Sequence, residues 1–290
     1  MTAALARALD DDLPPLTAAL AERGIDHAVV DWHDPAVDWA GFALVVVRSP
    51  WDYTRRHAEF LEWAERVAAL TALANPPAVI RWSTDKRYLA DLRAAGVPTV
   101  PTSFAAPGEE MDWPRADEVV VKPTVSAGSL DTARHTAARR AEAEAHVAHL
   151  HADGRVAMAQ PYLSAVEGER GETALVFLHG VFSHALRKGP MLVPGLSLVG
   201  GLYVEEDIRA ARATAAERSV AEAAIAAVPG ADGPLLYARV DLVPDDDGRP
   251  LVLELELVEP SLFLAFSPGA AERVAGAVAA RLMTGSTAPG

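Results

Sequence analysis

The stretch LLYARVDLVPDDDGRPLVLELELVEPS, Leu235 to Ser261, decides how the rest of the chain is read. Leu236 to Val243 is β-rich, Pro244-Asp245-Asp246-Asp247-Gly248-Arg249-Pro250 is turn chemistry, and Leu251 to Val258 resumes the strand. Side chains two apart on an extended chain share a face, so Arg239 and Asp241 point one way, as do Glu254 and Glu256, while Leu253, Leu255 and Leu257 point the other way. The two acidic sets meet only if Asp241 lies opposite Glu254 and Arg239 opposite Glu256, and a slip of one residue separates them. In that register Asp241, Glu254 and Glu256 crowd together beside an arginine, which is unfavourable unless they share a cation. Mg²⁺ held by a few carboxylates and nucleotide phosphates fills this role, with Arg239 facing phosphate oxygens or a substrate carboxylate. The alternative is the solvated face of an ordinary hairpin. The apolar run Leu262 to Phe266 just beyond it argues for burial on both sides.

The other bounds are set by composition. A chain of 290 residues has room for two or three subdomains, and 50% hydrophobic with 23% charged residues describes a folded protein. A net charge of −14 speaks against nucleic-acid binding, which needs a basic surface. The absence of cysteine excludes a disulfide framework, a thiolate nucleophile and a zinc–thiolate site. The start MTAALARALDDDLPPL carries no cationic region followed by a long apolar core, and no later run reaches membrane-spanning length, so a cytoplasmic protein without membrane partners is expected. Lys86, Lys122 and Lys188 are the only lysines in an arginine-rich chain, which marks each as a place where a compact point charge is wanted, as in phosphate clamps.

In chain order, Pro14 to Arg23 reads as a helix ended by Gly24, His27 to Val30 as a short strand, Ala43 to Val47 as a buried parallel strand and Arg56 to Leu70 as an amphipathic helix. Residues 1–78 are therefore expected to form a small doubly wound α/β subdomain, with Arg48-Ser49-Pro50-Trp51-Asp52-Tyr53 at a strand's C-terminal end as a candidate substrate wall or a packed aromatic turn. After Asn75-Pro76-Pro77, a helix capped by Ser83 or Thr84 and ending at Gly96 places Lys86 in its first turn, the wrong end for a cation unless an anion lies nearby. Glu118 to Lys122 is a strand leading into the small, hydroxyl-bearing loop Pro123 to Thr132, which can present backbone N–H groups to phosphates although it is no Walker motif. Ala137 to Leu150 is a charged helix, and its end explains His146, His149 and His151 better than a metal does. Val156 to Leu163 is a strand, an acidic loop Glu167 to Glu172 follows, and Thr173 to Leu178 with Val181 to Arg187 make a hairpin whose exit sets Arg187 and Lys188 side by side. Met191 to Gly201 reads as a loop, Glu206 to Val228 as a long helix, and Pro268 to Met283 as a last helix.

This order of pieces resembles the ATP-grasp superfamily of carboxylate–amine ligases, most strongly from Arg81 to Phe263. RWSTDKRYLADL, VKPTVSAGSLDT, GETALVFLHGVFSHALRKGP and ARVDLVP with LELELVEPSLFL are most similar to the D-cycloserine synthetase branch, which closes O-ureido-D-serine to an isoxazolidinone ring with ATP. The resemblance implies an α/β fold with two α+β subdomains, 79–155 and 156–290, sandwiching the nucleotide behind the N-terminal one. It makes Lys86 and Lys122 the nucleotide lysines, Ser126, Ala127, Gly128 and Ser129 part of the loop over the β- and γ-phosphates, and Gln160, Tyr162 and Leu163 the adenine hinge. A ribose acid is implied among Glu167, Glu169 and Glu172, with Glu169 and Glu172 preferred. Arg187, Lys188 and Arg239 hold the transferring phosphate and the substrate carboxylate, and Asp241, Glu254 and Glu256 bind Mg²⁺. Glu256 departs from the asparagine of many relatives, which leaves the number of ions open. An amino-acid-like small molecule is the expected substrate, with an intermolecular amide ligase as the other enzymatic reading. Self-association, common among such ligases, is left open.

Overall fold

The computed structural model describes residues 1–168, 171–189, 198–199, 203–204, 207–231 and 233–285. The predicted loop Met191 to Gly201 lies almost wholly outside them, as does Glu169.

The N-terminal part contains α1 (Leu13–Glu22), β1 (Leu44–Val46), α2 (His57–Ala68) and β2 (Ala72–Ala74). β1 and β2 pair in parallel, Leu44 opposite Ala72. Alternation along β1 makes the layer doubly wound: Leu44 and Val46 pack toward α1, whereas Val45 and Val47 join Phe60 and Trp63 of α2. The strand expected at 27–30 is reduced to an isolated bridge at Asp31, because Thr2 is its only partner there. Pro77 starts α3 (Pro77–Ser83), earlier than expected, and α4 is a separate helix (Tyr88–Ala94) capped at Arg87. Ser83 and Thr84 therefore close one helix instead of opening the next, and Lys86 lies in the turn between the two.

A four-stranded antiparallel sheet follows, built from β3 (Ser103–Ala105), β4 (Glu118–Pro123), β5 (Ala133–Thr136) and β6 (Ala157–Pro161) in the order β3-β6-β4-β5, with α5 (Arg140–Ala152) packed against it. β6, expected in the third subdomain, pairs with β4 and completes this middle sheet.

The second sheet comprises β7 (Glu172–Leu178), β8 (Val181–Lys188), β11 (Ile208–Ala211), β12 (Tyr237–Pro244) and β13 (Pro250–Glu256) in the order β11-β8-β7-β12-β13, while β9 (Leu198–Val199) and β10 (Tyr203–Val204) pair antiparallel as a separate two-stranded sheet. The expected long helix after 206 is split: 208–211 joins β8 as a strand, and α6 (Ala215–Ala226) starts at a capping box in which Thr214 and Glu217 satisfy each other's backbone N–H groups. α7 (Ala270–Gly285) ends the described chain. One face of this sheet, Leu175, Val240, Leu255 and their neighbours, is sealed by α4 and α6. On the other face α1 and α7 cover Val176, Leu178, Leu186 and Tyr237. The rest of that face is left to the cavity between the two sheets.

The N-terminal unit is welded to this sheet by polar bonds that leave few groups unsatisfied. Asn75 donates to the carbonyls of Tyr237 and Leu257 and accepts from Leu236 N–H, and the Tyr237 hydroxyl reaches the carbonyls of Val47 and Val258. Asp12 accepts from the N–H groups of Leu262, Phe263 and Leu264 and sits 3.4 Å from Arg48, which also donates to the Pro260 carbonyl. These bonds hold the 260–264 turn, with Phe263 at φ 52°, as one wall of the cavity.

Candidate active site

The register demanded by the carboxylates is the one formed: Arg239 lies opposite Glu256 and Asp241 opposite Glu254, with a bulge only beyond Asp241. Directly opposed residues share a face, and β7 adds Ala174 opposite Asp241 and Glu172 opposite Lys188 across the β7–β8 pair. Glu172, Lys188, Arg239, Glu254 and Glu256 thus line one floor of a cavity of about 320 Å³, and Asp241 is buried beneath it against Lys188 and Arg239. Its roof comes from the middle sheet and the loop after it, with Val120, Lys122 and Gln160 on strands and Ser126 to Ser129 in the loop. The solvated-hairpin alternative is excluded for Asp241, which is buried at 1% exposure.

Within the floor, acids and bases interlock. Lys188 Nζ lies 2.8 Å from Glu172 and 3.2 Å from Asp241; the Arg239 guanidinium grips Asp241 with two bonds of 2.9 Å and also contacts Glu256. Lys86 Nζ donates to the Ser126 carbonyl at 2.7 Å and lies 3.1 Å from Glu254, tying the phosphate-type loop to β13. Burial alone pushes the Asp241 carboxyl up, but Arg239 and Lys188 outweigh it and hold it down to about 2. Glu254 is likewise lowered against its burial, by Lys86 and Lys122. Glu256 goes the other way: burial, opposed by Arg239 but reinforced by Glu254 and Asp241, lifts it to about 8. The crowding of carboxylates on the floor is thus relieved by holding Glu256 toward its neutral form. Among the described residues no group of three or more His, Asp or Glu side chains stands arranged as a metal cage, since each of these carboxylates is turned onto a cation.

Lys122 is different. It is buried at 8% exposure, lines the cavity, and has neither a hydrogen-bond nor an ion-pair partner among the described residues; desolvation lowers its pKa. The loop after it takes the left-handed backbone at Gly128 and Ser129, with φ 60° and 61°. This turns the loop back over the cavity.

At the hinge, Gln160, Tyr162 and Leu163 line the cavity beside Val100, Val243 and Leu253, an apolar slot suited to a flat ring. Gln160 donates to Thr102 at 2.9 Å, and the Tyr162 N–H is spent on the Glu118 carbonyl, so any polar contact from Tyr162's backbone falls to its carbonyl. Arg134 stacks 3.5 Å over the Tyr162 ring and pairs with Glu118 and Glu167. Of the candidate ribose acids, Glu167 is engaged by Arg134 and the Tyr162 hydroxyl, Glu172 lies on the cavity wall against Lys188, and Glu169 is outside the described residues.

Arg187 is a correction. Adjacent strand residues point to opposite faces, so Arg187 turns away from Lys188 toward Thr173 and Glu217 of α6 and does not line the cavity. Conversely, sequence reasoning missed Asp10 to Asp12 and Glu259, all on the cavity wall. The acidic triplet just ahead of a Pro-Pro helix start was the available signal for the first. Glu259 had none, because its role depends on Trp51 and Tyr53 from the far end of the chain. The aromatic loop 48–53 does form a wall, through Trp51. Among the described residues no helix is long and apolar enough to cross a membrane.

Comparison with known proteins agrees with this geometry. Residues 1–75 match the family described as "D-cycloserine synthetase DcsG, N-terminal domain". The cycloserine biosynthesis protein DcsG of Streptomyces lavendulae is 46% identical over 296 residues, covering 97% of each chain. The crystal structure of D-cycloserine synthetase DcsG superposes with a TM-score of 0.89 at 45% identity, covering 97% of this chain and 98% of that one. ATP-grasp ligase PsnB, solved with a phosphomimetic precursor variant, Mg and ADP, shares the fold at 19% identity, covering 96% of each chain with a TM-score of 0.59. With one relative so similar along nearly its whole length and the same fold beneath, the chain belongs to the D-cycloserine synthetase family and is an ATP-grasp ligase.

Proposed function

We propose that this chain closes O-ureido-D-serine to D-cycloserine with ATP, through an acyl phosphate. The observation that carries the reading is Lys122, a buried ammonium that lines the cavity, feels the charges of Glu254 and Glu172, and makes no ion pair among the described residues. A buried cation of this kind is stabilised when an anion such as a polyphosphate enters. The adenine lies in the slot of Gln160, Tyr162 and Leu163, the ribose near Glu172 or Glu169, and the phosphates under Ser126, Ala127, Gly128 and Ser129 between Lys86 and Lys122.

The hard oxygen donors crowded on the floor, one of them lifted by its acidic neighbours, fit a divalent cation such as Mg²⁺. Asp241, Glu254 and Glu256 are the residues that would hold it, and it would neutralise charge on the transferring phosphoryl group. Arg239 and Lys188 orient the substrate carboxylate and the phosphoryl oxygens. The carboxylate attacks the γ-phosphate and ADP leaves; the oxygen-bound nitrogen of the ureido group then forms the ring N–C bond as phosphate departs, and hydrolysis of the carbamoyl group left on that nitrogen releases carbon dioxide and ammonia. Because nitrogen and acyl carbon belong to one molecule, ring closure gains from proximity. We place this activity in the cytoplasm, where ATP is supplied, and assign three subdomains with the second boundary after Pro161 so that β6 stays with its sheet.

The test is phosphate release from Mg·ATP with O-ureido-D-serine, with mass spectrometry of the products. D-cycloserine together with ADP is expected. Phosphate release only with a pair of amino acids would instead make the chain an intermolecular amide ligase.

A further inference from the structure

At the end of the cavity away from the adenine slot, the wall is acidic and aromatic. Trp51, Glu259, Ser261 and Phe263 face the space there, with Asp10 and Asp11 beside them. Three cations of the site are salt-bridged elsewhere: Lys86 to Glu254, Lys188 to Glu172 and Asp241, Arg239 to Asp241 and Glu256. Glu259 has no salt bridge among the described residues. It is held from outside its own strand, by a hydrogen bond between its side chain and the buried Tyr53 hydroxyl and by the Trp51 indole N–H on its backbone carbonyl at 3.3 Å. The charged groups facing it are Lys86, Glu254 and Arg239, with Glu256 one turn of strand earlier. A carboxylate oriented this firmly, inside a cavity and without a salt bridge among the described residues, is a seat for a positive group on the ligand.

The position of that seat selects the ligand chemistry. In an α-amino acid the ammonium is attached to the carbon next to the carboxyl group. A substrate whose carboxylate lies against Arg239 therefore brings its ammonium within a few ångströms of it. Glu259 stands three residues beyond Glu256 on that same wall. We propose that Glu259, fixed by Tyr53 and flanked by Trp51, binds the α-ammonium group of the substrate and is the residue that restricts this ligase to amino-acid-type carboxylates. Burial lifts the Glu259 carboxyl to about 7, so the ligand-free wall gains from an incoming cation. Tyr53 and Trp51 come from the N-terminal subdomain and Glu259 from the C-terminal one, so the ammonium seat is complete only where the two meet.

The inference rests on the ligase reading above, and its test separates the two. Phosphate release is measured for the wild type, Glu259→Gln and Tyr53→Phe, with O-ureido-D-serine and with its des-amino counterpart, 3-(ureidooxy)propanoate, over ranges of ATP and Mg²⁺. The wild type is expected to prefer the amino substrate by about 30-fold or more in kcat/KM, the discrimination a buried charged hydrogen bond supports. Glu259→Gln should lose most of that preference through KM, and Tyr53→Phe part of it, by about three- to tenfold. In both variants KM for ATP and the half-saturating Mg²⁺ should stay within about twofold of the wild type, as expected if neither touches the phosphates. A Glu259→Gln enzyme that keeps the full preference overturns the assignment. So does one whose Mg²⁺ requirement rises equally with both substrates, which would make Glu259 part of the metal site. A wild type that releases no phosphate with O-ureido-D-serine overturns the substrate reading alone. The ammonium seat is then judged on the amino acid that does stimulate release and on its des-amino form.

Discussion

Lys122 and Glu259 line one cavity and both feel the Lys86–Glu254 pair, and their difference describes its design. Among the described residues Lys122 is a buried cation with no ion pair, on a strand of the middle sheet, and Glu259 is a carboxylate with no salt bridge, just past the hairpin of the other sheet. Burial pulls each toward its neutral form, the lysine down and the glutamate up. Between them the floor is a closed grid of pairs, Lys86–Glu254, Lys188–Asp241 and Arg239–Glu256. A site charged in this way is asymmetric before any ligand arrives: one end waits for phosphates and the other for an ammonium group.

The sharpest way to break the comparison is at the phosphate end. Lys122→Ala should lower ATP turnover by about a thousandfold with an unchanged melting profile, the scale of losing one preorganised charge at a transferring phosphoryl group. Near-normal turnover would remove the phosphate role. Glu254→Gln frees Lys86 of its partner and takes one charged oxygen from the floor; the half-saturating Mg²⁺ concentration should rise by about tenfold, and an unchanged titration would take Glu254 out of the metal site.

The framework of the substrate end can be tested through stability. Asp12→Ala leaves the N–H groups of Leu262, Phe263 and Leu264 without their acceptor and should destabilise the protein by about 3 kcal/mol or more, read by denaturant titration. A loss under about 1 kcal/mol would mean that the turn is held by other bonds. At the same end, Glu259 contributes a pH dependence of known sign. Its folded-state pKa is raised above the ordinary glutamate value, so its stabilising contribution is complete below about pH 4.5 and is lost as pH rises through about 7. Glu259→Gln should thus gain stability relative to the ligand-free wild type between pH 5 and pH 8, on the order of 1 kcal/mol after solvent screening. A constant difference in melting temperature across that range would contradict the burial of the carboxyl. The smallest effect belongs to the face the cavity does not use. Arg187→Ala should reduce kcat/KM by at least about tenfold less than Lys188→Ala, since only Lys188 reaches Glu172 and Asp241. Equal losses would return Arg187 to the phosphate clamp.

Much of this was legible in the residues. The Arg239/Glu256 and Asp241/Glu254 register follows from period-two alternation alone, because any other pairing buries acids against leucines. The same alternation, applied to Arg187 and Lys188, contains the correction that side-by-side cations on a strand do not share a face. The start of α6 was also written in the chain, as the Thr214 and Glu217 box, whereas the alanine-rich composition upstream masked it. β5 had no such signal: Ala133 to Thr136 is short and polar, and only its pairing with β4 makes it a strand.

By itself, then, the sequence determined the hairpin register, the scarcity of lysine that marks Lys86, Lys122 and Lys188, and the doubly wound start. These depend on local periodicity and side-chain chemistry, which a linear string carries in full. Only the tertiary structure decided that Asp12 clamps the turn at Leu262 and that Tyr53 aims Glu259 into the cavity. Those partners are some two hundred or more residues apart, and neither contact has a period or a motif to announce it. They exist because two separately folded units bury polar groups against each other, and every such group must find a partner across the join.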